Sequence, residues 1–222
     1  MDTSGPAGPA RAAAGAAVPS VPAGSGTLDG TGWETCTVSL PEPDNWIVLD
    51  LAAEQPGAWA LEEARERLGA SAEPAWLQAY ADDLTVAADA ARGRHALSAA
   101  VFAPGGGPIL AFLSLRELSV PEESWRVEAL RAEAAASDGP YFQPPELTEV
   151  ALPLGPALRV HRLEPSDPGS DAAGVVEGVA HYVLPGEAPG TVLELLMTWS
   201  SPALGEVLAT MADAVAASAR LS

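Results

Sequence analysis

The chain of 222 residues carries 30 acidic side chains against 11 basic ones, a net charge of −19, and every base is arginine. That balance, with no cluster of basic residues, argues against binding a phosphate backbone or an anionic membrane surface. The single cysteine, Cys36, precludes an intrachain disulfide and a thiolate metal cluster. No run approaches the ~20 apolar residues of a membrane span.

Residues 1–32 are mostly Gly, Pro, Ala, Ser and Thr. Such a segment cannot bury enough apolar area to offset its ordering entropy, so a disordered tail is expected. Ala12–Val18 makes a poor signal core, lacking Leu, Ile and Phe and interrupted by Gly15. Trp33-Glu34-Thr35 before Cys36 does not resemble a lipid-attachment box, and a soluble cytoplasmic protein is expected.

Folding is expected from Trp33 onward, with 33–222 forming a single domain. Cys36, Val38 and Leu40 alternate, Pro41–Asn45 is rich in turn formers, and Trp46–Leu51 supplies a second strand of a predicted hairpin. Helices are predicted over Ala58–Leu68 and from Pro74 to about Arg92, the latter gathering Trp76, Leu77, Tyr80, Leu84, Ala87 and Ala88 on one sector. Leu97–Ala103 and Ile109–Glu117 flank Gly105-Gly106-Gly107, a hairpin signal. Ser119 with Pro121 and Glu122 suggests a capping box opening a helix to Ala136.

Leu147–Leu154 and Ala157–Leu163 should meet at Gly155-Pro156, and Val175–Leu184 should pair with Thr191–Trp199. In the latter strand Leu193, Leu195, Met197 and Trp199 alternate as in a half-buried strand. Ser200-Ser201-Pro202 offers a cap and a first-turn proline. Leu204, Val207, Leu208, Met211 and Val215 then trace one face of a closing helix. Hairpin-joined strands with covering helices make an α+β fold: a central antiparallel sheet flanked by helices, an α/β/α sandwich.

No catalytic constellation emerges. The triple glycine lacks the Lys-Ser/Thr of a phosphate loop and is followed by a strand, so it reads as a tight turn. His95 closes a helix, where a cation suits the dipole. His161 and His181 lie on separate predicted strands without a metal-binding spacing, and no metal site or cofactor is expected. No Gly-x-Ser-x-Gly elbow occurs. Asp82 and Asp83 diverge by about 100° on a helix, and Asp167 and Asp171 lack the remaining ligands of a calcium loop. Core packing accounts for Trp46, Trp76 and Trp199. Trp125 shares its sector with Ala129, Ala132 and Ala136, a small-residue stripe that close packing on the sheet explains; the alternative is a partner- or ligand-facing aromatic, which makes Trp125 the candidate partner-binding residue.

Leu40-Pro41, Asn45-Trp46 and Leu49-Asp50-Leu51 at one end, and Leu195–Pro202 with Asp213, Val215 and Ser218 at the other, resemble the PsbP-like α/β/α sandwiches. That superfamily includes the photosystem extrinsic subunit, Mog-type Ran-binding proteins and LpqN-type bacterial lipoproteins; this chain departs from the last in lacking a lipobox. The resemblance implies a docking or accessory protein without a catalytic role, and it transfers no functional residue. The leading expectation is therefore a non-catalytic binding, adaptor or accessory protein with a protein partner. The alternatives are a small-molecule carrier, for which an apolar pocket holding Trp125 would be the sign, and a hydrolase-type enzyme using His161 or His181 with Asp167 or Asp171.

Overall fold

The computed structural model describes residues 20–22, 33–69, 71–119, 126–136, 141–166, 174–184 and 191–221. Its strands are β1 (Ser20–Pro22), β2 (Cys36–Ser39), β3 (Trp46–Val48), β4 (Ser98–Phe102), β5 (Ala111–Ser119), β6 (Glu146–Leu152), β7 (Gly155–Pro165), β8 (Val175–Val183), β9 (Thr191–Trp199) and β10 (Arg220–Leu221). The helices are α1 (Pro56–Leu68), α2 (Pro74–Gly93), α3 (Val127–Ala136) and α4 (Gly205–Ser218). Seven strands form one antiparallel sheet in the order β3-β4-β5-β9-β8-β7-β6, and β1, β2 and β10 form a small second sheet. This is the α+β architecture that the hairpin signals imply.

Strand alternation sends side chains to two covered faces. Leu193, Leu195, Met197 and Trp199 of β9 join Leu113 and Leu115 of β5 on one face. There they pack against Leu208, Ala212 and Val215 of α4 and Cys36 and Val38 of β2. Cys36 is fully buried, and burial pushes its thiol up to about 11, so it is an inert packing group. On the opposite face α1 and α2 cover the β3–β4 half through Ala60, Ala64, Tyr80, Leu84 and Ala88. On that same side of the sheet α3 covers the β7–β8–β9 half, with Leu130 packed among Leu158, Val160, Ala180 and Leu196.

Several local expectations are corrected. β2 and β3 do not form a hairpin: β2 pairs with β1 and β10, while β3 pairs with β4. Between them Pro43–Asn45 winds into a 3-10 turn, entered through Glu42 at φ 49°, and Trp46 donates its indole N–H back to the Pro41 carbonyl at 2.8 Å. That turn carries the chain from the small sheet to the edge of the large one. The β1 pairing lies in a segment whose composition gives no reason to expect a strand.

Ser119 ends β5, and α3 begins at Val127, so Ser119 does not cap it. Neither does Ser201 donate or accept a side-chain cap: Pro202–Leu204 forms a 3-10 turn before α4 starts at Gly205. The buried stripe of α4 is Leu208, Ala209, Ala212, Val215 and Ala216, with Val207 63% exposed. Trp76 is 48% exposed and is no core residue, whereas Trp46 and Trp199 are buried. The β6–β7 turn is Pro153-Leu154, immediately before the glycine. The triple glycine does make the β4–β5 turn, with Gly105 and Gly106 at φ 62° and 70°, where only glycine is unstrained.

Candidate functional site

Two charged clusters lie on opposite faces of the large sheet. On the α4 face, Arg159 of β7 stands directly across from His181 of β8, and both reach Asp213 of α4. Arg159 donates to Asp213 Oδ1 at 2.8 Å, and His181 Nε2 lies 3.0 Å from the same oxygen. Burial alone would raise the Asp213 pKa. Hydrogen bonds from His181 and Arg159, with their charges, outweigh it and hold the carboxyl below its ordinary value.

Near the other end of β8, Glu177 receives the Trp199 indole N–H at 2.9 Å and pairs with His161 Nε2 at 2.8 Å. The Glu177 carboxylate also presses on the first residue of α4: a Cβ at Gly205 would stand 2.5 Å from its Oε2. An anion at the positive end of a helix is favourable, and glycine there permits the approach. This explains why no serine cap is needed.

Both histidines thus have carboxylate partners. His181 is 3% exposed. Among the described residues no serine, threonine or cysteine hydrogen-bonds to either imidazole. The Arg159 and His181 contacts to Asp213 join α4 to the sheet, whereas His161, Glu177 and Trp199 link three strands beneath its first residue.

The second cluster occupies the seam between α2 and α3. Glu194 of β9, its side chain 1% exposed, receives a two-pronged contact from Arg116 of β5, with Nη2 to Oε1 at 3.0 Å and Nε to Oε2. Arg116 and Glu194 face each other across the β5–β9 ladder. Arg94 adds a third contact to Oε2 at 2.8 Å.

Arg94 is aimed by the way α2 ends. His95 sits in the left-handed region at φ 55°, its N–H bonds the Arg92 carbonyl, and the Ala96 N–H bonds the Ala91 carbonyl. This is a Schellman closure with histidine in the usual glycine position.

Burial would raise the Glu194 pKa, but the hydrogen bonds and charges of Arg116 and Arg94 prevail and depress it. Tyr182 on β8, opposite Glu194, is pushed up to about 12 by burial and by the Glu194 charge, and stays a neutral phenol.

Beside this cluster, α3 stands off the sheet around a cavity of about 270 Å³. Leu118, Leu130, Ala134, Val160 and Val192 give it apolar walls; Arg116, Glu194, Tyr182 and Arg162 give it a polar one. The side chains that α3 turns to the sheet are Val127, Leu130 and Ala134. The small one, Ala134, leaves the space.

Trp125, Asp167 and Asp171 lie outside the described residues. His161 and His181 are brought to carboxylates, but these are Glu177 and Asp213. Sequence reasoning missed Glu194, Arg94, Arg116 and Arg162. One signal was present: Glu194 interrupts a strand whose neighbours on its own face, Val192 and Leu196, are as apolar as those on the other. An acid in a strand buried on both faces demands a cationic partner. No family model matches this chain, nor does any curated protein or solved structure.

Proposed function

We propose that this is a non-catalytic binding protein that seats a small molecule in the cavity between α3 and the sheet. The observation that carries the reading is the division of labour between the faces. The histidine–carboxylate pairs lie beneath α4, while the recess on the other face is walled by leucine, valine and alanine and holds guanidinium and phenol groups. An apolar recess with a few convergent polar groups is the usual form of a small-ligand site.

An adaptor acting through protein contacts is the rival reading. Its exposed apolar anchors among the described residues are Val48 of β3, Trp76 and Val86 ten residues apart on α2, Phe142, Val207 of α4 and Leu221 of β10, and single exposed apolar residues are normal on protein surfaces. Kinship with the PsbP-like sandwiches belongs to the same proposal. It draws support from the antiparallel sheet with helices on both faces, and from Trp46 and Trp199 serving as core residues.

Native mass spectrometry of protein purified without denaturation tests the reading. A small-molecule adduct retained by the native chain and absent after Ala134→Trp is expected, with no turnover of activated esters by either form. Ester hydrolysis that disappears with His181→Ala would instead establish the enzyme reading.

A further inference from the structure

We infer that the cavity beneath α3 selects a small amphipathic monoanion, a carboxylate on an apolar body, with Arg162 as its anchor. The inference rests on the binding reading above and adds the ligand's chemical class.

Charge is the first argument. The chain has a net charge of −19 and only eleven arginines, yet three of them converge here. Arg94, Arg116 and Arg162 face two carboxylates, Glu194 and Glu164, and Tyr182 remains neutral. One positive charge is left in excess within low-dielectric walls, where its field is strongest. A monoanion balances it; a cation would add to it.

Hydrogen bonding is the second argument. Arg116 is committed to Glu194 by both prongs. Arg162 is different: it lines the cavity, makes no side-chain hydrogen bond among the described residues, and its ion pair, Nε to Glu164 Oε2, spans 3.6 Å. A guanidinium that lines a largely apolar recess and lacks a hydrogen-bonded carboxylate is matched by one, whose two acceptors fit the guanidinium fork.

Size and lining complete it. An apolar cavity of ~150 Å³ takes up benzene, so about 270 Å³ admits a body of about ten non-hydrogen atoms. Leu118, Val160 and Val192 of the sheet and Leu130 of α3 above them would cover its apolar part.

Octanoate, octanamide and octylamine match that size and differ in charge, and isothermal titration of the full chain separates the possibilities. Octanoate is expected to bind with a Kd below about 1 mM. Octanamide should bind at least about tenfold more weakly and octylamine not at all. Arg162→Met should erase the preference of octanoate over octanamide while leaving octanamide binding unchanged. Ala134→Trp should abolish both.

Equal binding of octanoate and octanamide, or a preference that survives Arg162→Met, would overturn the anion inference and leave the binding reading standing. If none of the three binds the native chain, both fall. A circular dichroism melt of each variant establishes that lost binding is not lost folding.

Discussion

The two faces of the large sheet put similar residues to different use. Beneath α4, Asp213 and Glu177 are each met by two donors, and the helix lies close enough that Gly205 has no room for a Cβ. Beneath α3, Glu194 is equally saturated, but the neighbouring Arg162 is not, and an alanine at position 134 leaves open volume. Charged residues in a sheet therefore do not identify a functional site by themselves. What distinguishes a fastening from a recess is whether the covering helix completes the polar groups or stands away from them.

The largest effect is expected at Glu194. Glu194→Ala would leave Arg94 and Arg116 without their shared carboxylate in a buried setting. A loss of about 3–5 kcal/mol is expected in urea unfolding; a loss under ~1 kcal/mol would mean the cluster is solvated.

Asp213→Ala should cost less, about 1–3 kcal/mol, because Asp213 is half exposed while only its partner His181 is deeply buried. It should loosen α4 selectively, seen as faster amide exchange at Leu208–Val215 with Leu130 unaffected. Uniform loosening across both faces would contradict two independent fastenings.

Acid should sharpen the same contrast. Both carboxyls sit below their ordinary values of 4.5 for Glu194 and 3.8 for Asp213. Their contribution is complete above those values and is lost as pH falls through the depressed folded ones. Glu194→Gln should therefore flatten the acid limb of the stability curve beginning near pH 4.5, and Asp213→Asn only nearer pH 3.8. If neither substitution alters the slope, the charges are not coupled to folding.

The smallest effect is expected at His95. Its left-handed conformation costs a side-chain-bearing residue about 1–2 kcal/mol, part of which glycine returns as unfolded-chain entropy. His95→Gly should raise stability by up to ~1 kcal/mol and leave the Arg94–Glu194 contact intact. A loss would show that the imidazole contributes more than its backbone.

Local pattern carried most of the fold. The glycine turn between β4 and β5, the β8–β9 pairing and both α1 and α2 follow from residues close in sequence, where alternation, helical spacing and turn formers act directly. The β2–β3 hairpin was misread because β2 finds its partners in β1 and in β10 near residue 220, a pairing no short window contains. Val207 was misassigned for a related reason. Five apolar positions define a stripe only loosely, and contact with the sheet selects the Leu208–Ala212–Val215 side. The cavity was least legible of all. It depends on the position of α3 and the β5–β9 register together, and its residues are spread from Arg116 to Glu194.

α3 leaves room where α4 does not, and paired overpacking measures the difference. Ala134→Trp and Ala212→Trp introduce the same bulk on the two helices, and urea unfolding reports the cost of each. Ala134→Trp should change stability by less than ~0.5 kcal/mol, its indole entering existing space, while Ala212→Trp should cost at least ~1–3 kcal/mol. Equal losses at the two positions would mean that α3 packs as tightly as α4 and that no cavity exists.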